Sequence, residues 1–137
     1  MNDQDESVLP AFLGVDPPEG VPAAVIVPVP YDATSTWRKG ADRGPAALLE
    51  ASAEVELFDL QTLIEPHRAG ILTGPPILHD GDPATLADIV EQVVTEVIEG
   101  GSMPILLGGE HSVSIGAIRA AAAAVRSGGA RMGVVQI

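Results

Sequence analysis

The sequence has no cysteine and few aromatic residues, and both absences exclude classes of site. Without cysteine, the chain cannot form disulfides, use a thiolate nucleophile, or hold zinc or an iron–sulfur centre through sulfur. Aromatic residues make up 3% of the chain, which leaves little for stacking against bases or sugars. Sulfur chemistry and aromatic binding platforms are therefore not expected.

Basic residues are also scarce. Lys and Arg total 7 against 19 Asp and Glu, so the formal net charge is −12. Because binding to phosphates needs clustered Lys and Arg, we expect no nucleic-acid partner. The acidic excess is compatible with a cationic small-molecule substrate, although a soluble, self-repelling surface is the simpler explanation.

No apolar run approaches the roughly 20 residues that a membrane-spanning helix needs. The first ten residues, "MNDQDESVLP", are acidic where a secretory signal would be basic and then apolar. We therefore expect a cytoplasmic protein without a membrane partner.

The 137 residues suit one domain with its own core. Residues 1–20 are rich in Asp, Glu and Pro, and we interpret them as an acidic N-terminal arm. Residues 21–137 are expected to form an α/β domain. The hydrophobic content of 46% excludes a disordered chain.

Apolar patterns predict alternating strands and helices. The β-branched run "AAVIVPVP" at 23–30 predicts a buried strand, whose Pro28 and Pro30 suggest an end or an edge. A helix is expected to begin at Pro45, and the clearest helix is 82–101, capped by Asp82 and ended by two glycines. Strand 103–109, helix 112–129 and a final apolar strand at 131–137 follow. This alternation predicts βαβ units and a parallel sheet.

The stretch "LLGGEHS" at 106–112 is the main candidate site, because sites in parallel-sheet proteins lie at the carboxyl ends of strands. His111 is either a turn histidine or a ligand, and the local pattern leaves both open. Ser112 is a plausible N-cap of the next helix. Phosphate binding is disfavoured because the glycine spacing is wrong and Glu110 would repel an anion.

The remaining polar candidates are weaker. "HSVSIG" does not match the GxSxG elbow of a serine nucleophile, and we interpret His67 and His79 as surface residues. The loop "WRKGADRGP" contains Arg38, Lys39 and Arg43. These basic residues either pair with surface carboxylates or shape a pocket mouth or subunit contact.

Three segments, in order, resemble the ureohydrolase family of agmatinases and arginases. "VIVPVPYDATSTWRKGADRGPAALLEAS" at 25–52 resembles the family's first strand, Arg-x-Gly-Ala loop and Gly-Pro-x-x-x-Arg-x-x-Ser helix, with Leu49 in place of the arginine. "MPILLGGEHS" at 103–112 resembles its Gly-Gly-Asp/Glu-His-Ser metal motif. "GVVQI" at 133–137 resembles the strand that runs into its Asp-Ala-His-x-Asp metal motif.

The resemblance implies a three-layer αβα sandwich around a parallel sheet, and amidine hydrolysis by two Mn²⁺ ions bridged by hydroxide. His111 would be a ligand of one ion, with Glu110 and Ser112 behind it. The "PYDATST" stretch looks closer to agmatinases than to arginases, so the implied substrate is a small cationic guanidino compound, agmatine first. Arginase, guanidinobutyrase, guanidinopropionase and formimidoylglutamase activities stay open as alternatives within the same chemistry.

The resemblance also implies that the other metal ligands, four Asp and one His, follow residue 137. We therefore expect this chain to be an N-terminal portion that is inactive alone, and the full-length protein to be a homo-oligomer. A non-catalytic α/β assembly module is the main alternative, and an anion-binding Rossmann-like half is a third.

Overall fold

The computed structural model describes residues 9–16 and 18–136. Three strands and three helices alternate. One 3₁₀ turn precedes them at Phe12–Gly14, and three of the connections contain 3₁₀ turns, at Ala41–Arg43, Pro66–Ala69 and His111–Val113. The order along the chain is β1 (Ala24–Val29), α1 (Gly44–Ser52), β2 (Ile71–Thr73), α2 (Pro83–Glu99), β3 (Met103–Gly108) and α3 (Ser114–Ser127).

The strands form a parallel sheet in the order β2-β1-β3. Strand β1 pairs with β3 from Ala24↔Met103 to Val29↔Gly108, but with β2 only as far as Ile26↔Thr73. The central strand is thus paired on both sides in its first half and on one side in its second. The predicted α/β fold with a parallel sheet is confirmed.

Helices lie on both faces of this sheet. Val27 and Val29 pack into a buried cluster with Leu86 and Val90 of α2 and with Ala120 of α3. Because side chains alternate along a strand, the intervening β1 residues point to the opposite face, where α1 contacts β1 and β3. The described chain therefore has three layers.

Helix α2 follows from local sequence. Asp82 has an extended backbone, and its side chain accepts hydrogen bonds from the N–H groups of Ala84 at 3.0 Å and Thr85 at 2.9 Å. Pro83 occupies the first turn, where its missing N–H costs nothing. Gly116 of α3 then lets the two helices pack closely, since an added Cβ would lie 2.2 Å from the carbonyl oxygen of Ala87.

Strand β1 ends at Val29, between Pro28 and Pro30, as these prolines suggested, and Pro28 itself lies inside the central strand rather than at an edge of the sheet. Backbone groups of Ala24 and Ile26 face β2, whereas Ala23 and Val29 accept hydrogen bonds on the β3 side. Pro28 shares the orientation of the first pair, and β2 has already ended at this level. Its missing N–H therefore interrupts no ladder.

The helix that is expected to begin at Pro45 is α1, which begins at Gly44 and ends at Ser52. The expectation of a final strand, in contrast, is wrong. The apolar run at 131–136 forms no strand among the described residues and is exposed, because it has no partner strand to complete its backbone hydrogen bonds.

Part of the predicted acidic arm is held against the domain. The N–H of Phe12 donates to Thr73 Oγ1 at 2.9 Å, and that of Leu13 donates to Ser52 Oγ at 2.8 Å. Residues 1–8 and 17 lie outside the described part, so the arm's extent stays a prediction. None of the helices within 9–16 and 18–136 is long and apolar enough to cross a bilayer.

Candidate functional site at the carboxyl ends of β1 and β3

The turn after β3 packs directly against the end of β1. The N–H of Gly109 donates to the carbonyl oxygen of Val29 at 3.2 Å. A Cβ on Gly109 would lie 2.2 Å from the carbonyl oxygen of Tyr31 and 3.1 Å from the carbonyl carbon of Ala41. Glycine is required there because any side chain would collide with this backbone.

Glu110 is the hydrogen-bond centre of the turn. Its Oε1 accepts from Thr34 Oγ1 at 2.5 Å and from Ser112 Oγ at 2.7 Å, and Oε2 lies 3.4 Å from Ser35 Oγ. Burial raises the pKa of this carboxyl, but the hydrogen bonds from Thr34, Ser112 and Ser35 together lower the pKa by more than burial raises it. The net pKa is below its ordinary value, so the group is a carboxylate at neutral pH.

The His111 side chain is exposed at the start of the 3₁₀ turn. It lines a hollow of about 430 Å³, together with Thr34, Arg38, Glu110 and Ser112. Among the described residues its ring makes no hydrogen bond, whereas its carbonyl oxygen accepts from Ser114 Oγ at 2.8 Å. Both ring nitrogens are thus free to bind a ligand.

Ser112 does not cap the following helix, and that prediction is wrong. It lies inside the 3₁₀ turn, helix α3 begins at Ser114, and no side chain caps α3. The Ser112 hydroxyl instead donates to Glu110. Ser112 lies two residues before the start of α3, and its Oγ accepts no backbone N–H of that helix.

The loop after β1 forms the other wall of the site and is closed around Asp32. The Asp32 side chain is 7% exposed, and its Oδ2 accepts from the N–H groups of Gly40 and Ala41. The Lys39 ammonium donates to the carbonyl oxygens of Asp32 and Ala33. The basic stretch is therefore a structured loop.

The two arginines of that loop do not pair with surface carboxylates. Within the described residues, Arg38 and Arg43 form no salt bridge, and Lys39 lies 4.0 Å from Asp32. Arg38 instead lines the hollow that contains His111. This placement favours the interpretation of the loop as the wall of a pocket.

His67 and His79 are half-buried rather than surface residues. The His79 ring stacks on Tyr31 with centroids 6.1 Å apart, and its Nε2 lies 3.0 Å from the carbonyl oxygen of Asp82. The His67 Nδ1 is buried without a partner in the described chain. Neither lines the hollow of His111.

One side chain of the turn has the chemistry of a metal ligand. His111 suits one ligand position, because its imidazole is exposed and makes no hydrogen bond to the described chain. Nowhere in 9–16 or 18–136 do three His, Cys, Asp or Glu side chains come together in a way that could hold an ion. Among the described residues, His111 is thus a candidate ligand that no pair of further donors accompanies.

Known proteins match this chain in both sequence and fold. An N(1)-aminopropylagmatine ureohydrolase of Synechocystis sp. is 39% identical over 106 residues, covering 72% of this chain and 34% of that protein. The crystal structure of the agmatine ureohydrolase of Thermoplasma volcanium is 32% identical, with a TM-score of 0.69 over 73% of this chain and 34% of that one. The proclavaminate amidino hydrolase of Streptomyces clavuligerus, 22% identical, shares the fold with a TM-score of 0.74 over 86% of this chain and 40% of that one.

The match covers only part of the length of these relatives. The chain spans about a third of the length of the curated relatives, 34% in the Synechocystis protein. The fold is the arginase-like α/β fold that the resemblance implied. A family model described as the arginase family matches residues 22–137, and the chain therefore belongs to the arginase family.

Proposed function

We propose that this chain is part of a metal-dependent ureohydrolase that converts agmatine and water to putrescine and urea. The observation that carries the proposal is His111, whose ring is exposed and without a hydrogen bond to the described chain at the carboxyl end of the sheet. It lies in a Gly-Gly-Glu-His-Ser turn of an arginase-family chain. His111 is proposed as one ligand of a site for two Mn²⁺ ions.

Bound Mn²⁺ would lower the pKa of water and supply hydroxide for attack on the guanidinium carbon. The described residues bind and orient. His111 presents an exposed imidazole, and the Glu110 carboxylate fixes the turn by accepting hydrogen bonds from Thr34 and Ser112. The net charge of −12 favours the approach of a cationic guanidino substrate.

The substrate has two candidates within this chemistry. The "PYDATST" stretch favours agmatine, whereas the Synechocystis relative is named for N(1)-aminopropylagmatine. The two differ by an aminopropyl group, so a comparison of kcat/KM on both substrates decides between them. A ratio above about 10 corresponds to roughly 1.4 kcal/mol of transition-state discrimination.

We further propose that residues 1–137 alone release no urea, since the described part lacks a three-donor metal group. A cytoplasmic location fits a chain without cysteine, which gains nothing from an oxidising compartment. A homo-oligomeric full-length protein, with no nucleic-acid or membrane partner, completes the proposal. A non-catalytic assembly module of the same fold is the alternative.

The test measures urea release with Mn²⁺, from residues 1–137 and from the complete product of the gene. We expect activity only from the complete product, and expect His111→Ala to reduce both activity and Mn²⁺ affinity. His67→Gln is the matched control, because it removes an imidazole outside the hollow. Activity that survives His111→Ala would refute the proposed ligand, and an inactive complete product that binds no Mn²⁺ would favour the assembly module.

A further inference from the structure

Thr34 and Glu110 join two segments that are 76 positions apart in the chain. Thr34 lies in the loop after β1, and Glu110 directly precedes His111 in the turn after β3. The Thr34 hydroxyl donates to Glu110 Oε1. This is the shorter of the two bonds by which the loop reaches the carboxylate, because Ser35 Oγ lies 3.4 Å from Oε2.

The Thr34 hydroxyl is offered from a loop that is itself fixed. The Asp32 carboxylate closes the loop by accepting from the N–H groups of Gly40 and Ala41. The Lys39 ammonium donates to the carbonyl oxygens of two consecutive residues, Asp32 and Ala33. A β-branched threonine also has few side-chain rotamers. Its hydroxyl therefore has a defined position relative to the sheet.

The turn needs such a contact because its own sequence is permissive. Gly108 and Gly109 precede Glu110, and glycine restricts the backbone least. On the N-terminal side of Glu110, the turn is held by the Gly109 N–H, which donates to the carbonyl oxygen of Val29. On the C-terminal side, no side chain caps the 3₁₀ turn. The hydrogen bond from Thr34 is thus a side-chain tie between the loop and the residue next to His111.

We propose that Thr34 is a positioning residue, which holds Glu110 and thereby fixes the direction in which His111 presents its ring. This inference rests on the proposed function of His111 as a metal ligand. It assigns to the Thr34 hydroxyl a role that acts through the Glu110 carboxylate without contact with metal or substrate.

The test compares three variants of the complete gene product. Thr34→Val keeps the shape and removes the donor, and Thr34→Ser keeps the donor. Thr62→Val is the matched control, because Thr62 Oγ1 also donates to a carboxylate, Asp59 Oδ2, at 2.8 Å and lies outside the hollow. Mn²⁺ affinity is measured in each, together with hydrogen exchange of the Gly109 and Val113 amides, which donate to the carbonyl oxygens of Val29 and Glu110.

Thr34→Val is expected to weaken Mn²⁺ binding by about tenfold, as removal of groups behind metal ligands does, and to speed exchange of the Gly109 and Val113 amides, because the turn opens more readily. Thr34→Ser restores both, and Thr62→Val changes neither. Unchanged exchange and affinity in Thr34→Val would overturn the proposal. Failure of Thr34→Ser to restore them would also overturn it, by assigning the effect to packing.

The two proposals fail in different ways. If His111→Ala leaves Mn²⁺ affinity intact, the ligand assignment fails, whatever Thr34→Val does to exchange. If His111→Ala abolishes binding while Thr34→Val alters neither readout, the ligand assignment stands and the positioning role is wrong.

Discussion

Gly109 lies so close to Tyr31 that an added Cβ would be 2.2 Å from the Tyr31 carbonyl oxygen. This contact joins the turn that bears His111 to the end of the central strand. Because backbone atoms form the far side of the contact, no side chain can move aside to relieve a collision. The position of the candidate site thus depends on the absence of a side chain at residue 109.

Gly109→Ala is therefore expected to displace the turn and to lower the thermal unfolding midpoint. Overpacking of this kind costs about 1–3 kcal/mol. Thermal unfolding followed by circular dichroism measures it. Gly133→Ala is the matched control, because nothing lies within 4 Å of its added Cβ. Equal midpoints for the two variants would contradict the close packing at Gly109.

Leu86 tests the core between sheet and helices. It is 0% exposed, whereas Leu60 is 82% exposed. Leu86→Ala is expected to reduce the free energy of unfolding by about 2–5 kcal/mol, because the buried site keeps a cavity. Leu60→Ala, the control, should change it by less than about 0.5 kcal/mol. Unfolding in urea measures both free energies. Similar losses of stability in the two variants would contradict the burial of Leu86 between α2 and the sheet.

The regular elements could be predicted because their causes are local. The buried run of β1, the apolar stripe of α2 and the Asp82 cap are all visible in consecutive residues. Pro28 and Pro30 indicate the end of β1 correctly, but the position of Pro28 inside the central strand could not be predicted, because the cost of its missing N–H depends on where β2 ends. The level at which β2 ends is set by the pairing of the sheet and cannot be predicted from the residues of β1.

The candidate site divides in the same way. The strand–glycine–glycine pattern places His111 at the end of β3, and local sequence is enough for that. The Thr34–Glu110 hydrogen bond spans 76 positions, and no local pattern encodes it. Ser112 is not the cap that its sequence position predicts, because a 3₁₀ turn at His111–Val113 delays the start of α3 to Ser114. The cluster of Thr and Ser after Asp32 was the one available signal.

Two aspartates are expected to make the free energy of unfolding depend on pH in the acidic range. The pKa of Asp59 is held below its ordinary 3.8, first by the Thr62 hydroxyl, and that of Asp82 first by the Thr85 amide. The unfolded chain therefore binds protons more readily, so folding stability is present above about pH 4 and falls as pH drops through the folded-state pKa values.

Thermal midpoints measured from about pH 7 to about pH 2.5 should accordingly fall below about pH 4. Asp59→Asn removes one contribution and is expected to make the fall shallower. A midpoint that rises on acidification, or a slope that Asp59→Asn leaves unchanged, would contradict the assignment of these hydrogen bonds.

Asp32 governs whether the loop over the site stays closed. Its carboxylate accepts from the amides of Gly40 and Ala41, and Asp32→Ala removes both bonds. The loop contains Arg38 and Lys39. Trypsin cleaves after these residues only when the loop unfolds locally. Asp32→Ala is therefore expected to accelerate tryptic cleavage after these two residues by about tenfold.

The internal control for this cleavage is Arg131, which is exposed and lies outside every helix and strand. Its cleavage rate should be the same in the wild type and in Asp32→Ala. Asp32→Asn, which retains an oxygen acceptor, should protect the loop to an intermediate degree. If Asp32→Ala cuts no faster at Lys39, closure of the loop does not depend on Asp32, and the fixed position of Thr34 must come from its other contacts.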